Sequence, residues 1–98
     1  MPFNNLSGRE FKMKFENKNG VLLDVRTPDE FNAGHIEGAL NLDIFSPSFR
    51  DAIEKLEKDK EYFVYCRSGN RSVQACMLMS ELGLKSNNLY GGISAWQF

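Results

Sequence analysis

The sequence has few cysteines, one histidine and no long apolar run. Its two cysteines, Cys66 and Cys76, are too few for the disulfide framework of a small secreted domain. Together with His35 they do not make a zinc-ligand set, and the chain predicts neither a metal nor another cofactor. No stretch approaches the roughly 20 apolar residues that span a bilayer, and the N-terminus is polar and mixed in charge. We therefore expect no membrane partner and a cytoplasmic, reducing environment in which a thiol stays free.

An excess of charge of one sign is also absent. Twelve Lys and Arg residues oppose thirteen Asp and Glu residues, which leaves a net charge of −1. No global field exists to attract nucleic acid, so any anion has to be bound by local geometry. The 98 residues, 42% hydrophobic and 26% charged, contain no internal repeat or linker. This composition predicts one soluble globular domain over residues 1–98.

Short apolar segments alternate with helical patterns along the chain. Two S/T-x-x-E capping boxes, Ser7–Glu10 and Thr27–Glu30, predict the starts of two helices. We predict strands at residues 21–25, 39–42, 62–65 and 88–90. Two further helices are predicted, one that begins at residue 46 and one over 72–82, followed by a terminal turn or helix that holds Trp96. The alternation predicts an α/β fold, with a central parallel sheet and helices on both faces.

The most informative residue is Cys66, which follows a buried strand and precedes a short loop and a helix. Parallel sheets place their ligands at this carboxyl end of the strands. Gly69 permits a loop whose N–H groups turn inward, and the start of the helix adds unpaired donors. Arg67 and Arg71 add positive charge. Such surroundings lower a cysteine pKa from ~8.5 to roughly 3.5–7.5, which gives a nucleophile that needs no histidine base.

Each candidate residue also has a purely structural interpretation. Cys66 could be an inert core thiol, although that would not explain two arginines and a glycine turn beside it. Cys76 lies inside an apolar helix and is interpreted as packing rather than as a resolving cysteine. His35 has no orienting partner by sequence, which favours a structural role. Asp24 and Arg26 could reach the site from a neighbouring strand, but an internal ion pair or loop hydrogen bonds are the preferred interpretation.

Three blocks of the sequence resemble the rhodanese-like domains, in the family's order. The first comprises LLDVRTPDEF (22–31) and GHIEGA (34–39), the second is CRSGNRS (66–72), and the third is LYGGISAW (89–96). The blocks cover almost the whole chain, so the match is far more specific than a lone motif. The resemblance implies the small rhodanese-like α/β fold around a parallel sheet.

The resemblance also implies a sulfurtransferase activity that needs no cofactor. Cys66 would carry sulfur as a persulfide, taken from thiosulfate or a similar anion and passed to a thiol, to cyanide or to a sulfur-acceptor protein. The backbone of the loop would cradle the outer sulfur, with the side chains of Arg67 and Arg71 binding the anion. The substrate-binding residues implied in this way are Arg67, Ser68, Gly69, Asn70 and Arg71.

Two other functions remain open at this point. Cysteine-dependent phosphatases use a related cradle with five residues between cysteine and arginine, whereas four lie between Cys66 and Arg71. The smaller ring fits one sulfur atom better than a phosphoryl group, which favours sulfur transfer. A non-catalytic rhodanese-like binding or regulatory module is the stronger alternative. Such modules commonly lack the cysteine or the loop cations, and this chain has both.

Overall fold

The computed structural model describes residues 2–98 and is built around one five-stranded sheet. The strands are β1 (Asn4–Leu6), β2 (Val21–Asp24), β3 (Leu40–Asn41), β4 (Glu61–Tyr65) and β5 (Lys85–Leu89). The helices are α1 (Gly8–Lys18), α2 (Pro28–Ala33), α3 (Phe49–Glu54) and α4 (Asn70–Glu81), followed by a 3₁₀ turn at Ile93–Ala95. The strand order is β1-β5-β4-β2-β3, and every pair is parallel. The predicted α/β fold with a parallel, helix-flanked sheet is confirmed.

Each face of the sheet packs into its own apolar core. On one face, α3 and α4 contribute Ile53 and Met79 to a cluster with Val64 of β4. On the other face, Phe11 of α1 packs edge-on against Phe63 of β4, with ring centroids 5.4 Å apart. Successive β4 side chains thus enter opposite cores, which is why this strand reads as a continuous apolar run. No helix among residues 2–98 has the length and apolar character to cross a membrane.

Both predicted capping boxes form. The Ser7 hydroxyl accepts from the Glu10 N–H at 3.3 Å, and the Glu10 carboxylate accepts from the Ser7 N–H at 3.0 Å. Thr27 and Glu30 make the same reciprocal pair at 3.3 and 3.2 Å. These bonds satisfy N–H groups that have no partner inside a helix, so α1 and α2 begin where the sequence predicts.

Several predicted boundaries were wrong. The edge strand β1 was not predicted, and β5 extends over 85–89 rather than 88–90. The third helix begins at Phe49 rather than near Ser46, because the Ser46 hydroxyl accepts from the Ser48 N–H and closes a turn instead. The fourth helix begins at Asn70, two residues early, because Gly69 already serves as its N-cap.

Candidate active site

Cys66 lies at the carboxyl end of the middle strand and is fully buried. It directly follows β4, which pairs with β2 on one side and β5 on the other. Three residues later Gly69, at φ +102, turns the chain into α4. This positive φ favours glycine and directs the first turn of the helix toward the sulfur. The strand, turn and helix predicted from the sequence therefore do converge on Cys66.

The Cys66 sulfur is surrounded by hydrogen-bond donors. The Gly69 N–H donates to Sγ at 3.0 Å and the Ser72 N–H at 3.4 Å, while the Ser72 hydroxyl oxygen lies 3.3 Å away. Burial raises the pKa of the Cys66 thiol. Hydrogen bonds from the Ser72 hydroxyl and from the N–H groups of Ser72, Gly69 and Ser68 outweigh burial and hold this pKa below its ordinary value. The site thus stabilises the thiolate relative to that of an ordinary cysteine, through short-range hydrogen-bond donors.

Ser72 is a site residue that the sequence reasoning did not single out. Its hydroxyl lies within hydrogen-bond distance of both the Cys66 sulfur and, at 3.1 Å, the Gly69 carbonyl oxygen. In the thiol form, Cys66 can donate to the Ser72 oxygen while Ser72 donates to that carbonyl. In the thiolate form, the Ser72 proton can turn to the sulfur. The sequence could have indicated Ser72 through its position in the first turn of the helix, one turn after Gly69.

Two backbone donors at the start of α4 remain unused. The N–H groups of Asn70 and Arg71 find no acceptor within residues 2–98. Both belong to the first turn of a 12-residue helix, where N–H groups lack partners inside the helix. With the donors already on the sulfur, they form a concave set of N–H groups that suits an anion or a second sulfur atom.

Arg71 does not present a free guanidinium. The family resemblance implies that this side chain binds the anion, and in the structure it is paired with Glu30 through two parallel bonds of 2.7 and 2.9 Å. Hydrogen bonding to Arg71, partly opposed by burial, holds the pKa of Glu30 at about 2. Arg67, by contrast, is exposed and makes no hydrogen bond or ion pair with any other residue in the range 2–98. Arg67 is therefore the loop cation that is available to an anion.

Asp24 and Arg26 form the internal ion pair that was the preferred interpretation. The Arg26 Nη2 lies 2.7 Å from Asp24 Oδ2, and its Nε lies 3.0 and 3.1 Å from the two carboxylate oxygens. Both residues are buried, and Arg26 also donates to the Gly34 carbonyl at 2.7 Å. Their charges compensate each other, and the pair fixes the chain that leaves β2.

His35 and Cys76 take part in local packing. His35 is exposed, stacks on the Phe31 ring at 3.7 Å between centroids, and places Nδ1 2.9 Å from the Phe31 carbonyl oxygen. Cys76 is buried in the α4 core, and burial raises its pKa to about 12, so its thiol is a poor nucleophile. Within residues 2–98 there is no group of three or more His, Cys, Asp or Glu side chains that could hold a metal.

The Gly91–Gly92 segment near the C-terminus packs against the backbone of the cysteine loop. The Ile93 N–H donates to the Cys66 carbonyl oxygen at 2.9 Å. A Cβ on Gly92 would overlap the Arg67 carbonyl and lie 2.6 Å from the Ser68 nitrogen, so only a glycine permits this approach. The segment therefore fixes the backbone from which the sulfur ligands project.

Comparison with known proteins agrees with this arrangement. Residues 7–98 match the family model described as the rhodanese-like domain. The chain is 33% identical over 95 residues to the thiosulfate sulfurtransferase GlpE of Shewanella oneidensis, spanning 96% of this chain and 92% of that protein. It is 42% identical over 77 residues to a sulfurtransferase of Allochromatium vinosum, spanning 78% and 70%. A rhodanese-like domain protein from Staphylococcus aureus superposes with a TM-score of 0.84 at 27% identity, covering 97% of this chain and 92% of that one. This chain therefore belongs to the family of rhodanese-like domains, which includes small sulfurtransferases.

Proposed function

We propose that this protein is a sulfurtransferase that carries sulfane sulfur on Cys66, from thiosulfate or a similar donor to a thiophilic acceptor. One observation carries the proposal: the Cys66 sulfur lies at the start of α4 among fixed donors that hold its pKa below the ordinary value. A thiolate is the nucleophilic form of cysteine. The likeness to a relative named as a thiosulfate sulfurtransferase supports the choice of donor.

The first step loads the cysteine. The Cys66 thiolate attacks the outer sulfur of thiosulfate, a new S–S bond forms, and the S–S bond of thiosulfate breaks. Sulfite leaves with the electron pair of the broken bond, so no other oxidant is needed. The free N–H groups of Asn70 and Arg71 supply donors for the sulfur that stays bound, and Arg67 supplies a cation at the rim.

The second step unloads it. An acceptor nucleophile, such as a thiolate or cyanide, attacks the outer sulfur of the persulfide, and the Cys66 thiolate leaves. A low pKa makes that thiolate a good leaving group. The same hydrogen bonds thus serve both halves of the cycle. A cytoplasmic location and a protein acceptor are compatible with this scheme and belong to the proposal.

The two alternatives predict different chemistry. A phosphatase would need room for a tetrahedral phosphoryl group. Here only four residues separate Cys66 from Arg71, which makes a small loop, and the Arg71 guanidinium is paired with Glu30. A binding module would have no use for a thiol with a lowered pKa. Sulfur transfer is the function that uses the features present.

A turnover assay tests the proposal. The purified protein is incubated with thiosulfate and cyanide, and in parallel with p-nitrophenyl phosphate. We expect thiocyanate formation by the wild type and by Cys76→Ser, none by Cys66→Ser, and no phosphate release by any of them. Folded wild-type protein that forms no thiocyanate would contradict the proposal, and phosphate release that depends on Cys66 would favour the phosphatase instead.

A further inference from the structure

The positive charge around Cys66 is largely compensated within the protein. Three arginines belong to the segments around the site, and two of them pair with carboxylates: Arg26 with the buried Asp24, and Arg71 with Glu30. Within residues 2–98 only Arg67 has no such partner among the three. The side-chain charge offered to an incoming anion therefore falls from three cations to one.

Glu30 is held in place from two sides. As the N3 residue of the α2 capping box, it accepts through Oε1 from the Thr27 N–H at 3.2 Å and from the Thr27 hydroxyl at 3.1 Å. The same oxygen accepts from Arg71 Nη1 at 2.7 Å, and Oε2 accepts from Nη2 at 2.9 Å. The Phe45 ring covers the Arg71 guanidinium at 5.6 Å from its centroid. One carboxylate thus joins the start of α2 to the first turn of α4, and it cannot turn away without losing both sets of bonds.

The Glu30–Arg71 pair lies within electrostatic reach of the sulfur. Hydrogen bonding to Glu30 raises the pKa of Arg71, and the charges of Glu30, Cys66 and Asp24 raise it further against the opposing effect of burial. The pKa of Glu30, about 2, keeps its carboxylate ionised throughout the pH range in which a protein of this kind works. Glu30 therefore compensates the charge of Arg71 throughout that pH range.

We propose that Glu30 is a specificity-determining positioning residue, which acts by neutralising Arg71 and so limits the preference of the Cys66 site for anionic sulfur donors. The consequence for substrates rests on the proposed sulfur transfer. With a single free cation at the rim, the site favours a dianion such as thiosulfate only weakly. Persulfide donors and thiol acceptors of low charge can then compete with it.

The test compares two glutamate variants that occupy equivalent positions. Glu30→Gln removes the charge next to Arg71, and Glu10→Gln removes a charge in the capping box of α1. Glutamine can fill the same capping position, so both helices keep their first turn. Each variant is made in the Cys76→Ser background. Cys66 is alkylated with iodoacetate, an anion, and with iodoacetamide, which is neutral.

The ratio of the two rate constants reports the potential at the sulfur, because the thiolate fraction cancels. In Glu30→Gln we expect the iodoacetate-to-iodoacetamide ratio to rise about threefold or more at low ionic strength and to fall back in high salt. In Glu10→Gln it should stay at the wild-type value. Arg71→Gln, which leaves Glu30 uncompensated, should lower the ratio. With thiosulfate, Glu30→Gln should lower KM and leave kcat unchanged.

The rate ratio is expected to rise in Glu30→Gln and to fall in Arg71→Gln, which separates an electrostatic effect from loosening of the fold. A merely disturbed loop would shift the ratio of both variants in the same direction. A ratio that is unchanged in Glu30→Gln, or that moves the same way in Glu30→Gln and Arg71→Gln, would overturn the proposal. Alkylation requires no sulfur transfer. A wild type without thiosulfate activity would therefore contradict the proposed function, while the ratio would still decide the role of Glu30.

Discussion

At the scale of single residues, the proposed chemistry of this protein depends on how one sulfur atom is solvated. Cys66 is withdrawn from water, which by itself favours the neutral thiol. The Gly69 and Ser72 N–H groups and the Ser72 hydroxyl replace that water with donors at 3.0 to 3.4 Å. The two N–H donors are fixed by the backbone of the loop and α4, so salt should affect their contribution far less than that of an exposed arginine.

Ser72→Ala should raise the pKa of Cys66. The hydroxyl is a donor to the charged form, so its loss costs the thiolate a charge-assisted hydrogen bond, whereas the thiol loses only a weak S–H donor bond. The midpoint of iodoacetamide alkylation against pH, measured in the Cys76→Ser background, should move upward by about one unit, because the backbone donors remain. Alkylation near neutral pH should be slower as a result.

Ser80→Ala is the matched control, since Ser80 lies in the same helix and its hydroxyl is not among the sulfur ligands. It should leave the midpoint unchanged. An unchanged midpoint in a folded Ser72→Ala variant would mean that the hydroxyl donates only to the Gly69 carbonyl.

The residues of the site differ in how far a sequence can predict them. Cys66 and its loop could be found because strand, glycine and helix start are adjacent in the chain, and each has a local signature. The Glu30–Arg71 pair joins positions 41 residues apart. The capping box gave Glu30 a local role, but its second role depends on how α2 approaches α4. Only the folded chain shows that contact.

At the scale of elements, β1 and β5 show where apolar patterns fail. The sequence KSNNL of β5 is polar, yet four of its five residues are buried. The Asn87 amide donates to the Tyr62 carbonyl and to Glu61, and its oxygen accepts from Asn4. Neighbouring strands and side chains thus satisfy the Asn87 amide, which would otherwise be costly to bury. Prediction from apolar runs missed the first half of β5 and all of β1, which pairs with it.

The C-terminal glycine pair gives a prediction at this scale. Gly91 and Gly92 both have positive φ, +84 and +78, so alanine at either position costs roughly 1–2 kcal/mol of stability from the backbone alone. A Cβ on Gly91 meets only the Ala95 Cβ at 3.7 Å, whereas one on Gly92 would displace the backbone at Arg67 and Ser68. Gly92→Ala should therefore lose sulfurtransferase activity about tenfold or more, beyond any loss in Gly91→Ala.

Thiocyanate formation and thermal unfolding, measured side by side, check this prediction. Both variants should still unfold cooperatively, at lower temperatures than the wild type. Equal activity in the two would show that the segment does not position the cysteine loop.

At the scale of the whole molecule, the parallel sheet gathers distant segments at one edge. The buried pair Asp24–Arg26 lies at the end of β2, Cys66 follows β4, and the Gly91–Gly92 segment follows β5. Because parallel strands end on the same side, these segments meet although they are far apart in sequence. The two cores, one on each face, hold the strands that carry them. The fold thus supplies a frame for the short loop to which the proposed chemistry belongs.

The central claim is that this frame makes Cys66 a carrier of sulfur. Its most direct test is the intact mass of the protein after incubation with thiosulfate and removal of the excess, followed by a second measurement after addition of a thiol. We predict the gain of one sulfur atom by the wild type and by Cys76→Ser, none by Cys66→Ser, and complete loss of the added sulfur to the thiol. A folded wild type that gains no sulfur, or an adduct that persists in Cys66→Ser, would contradict the account.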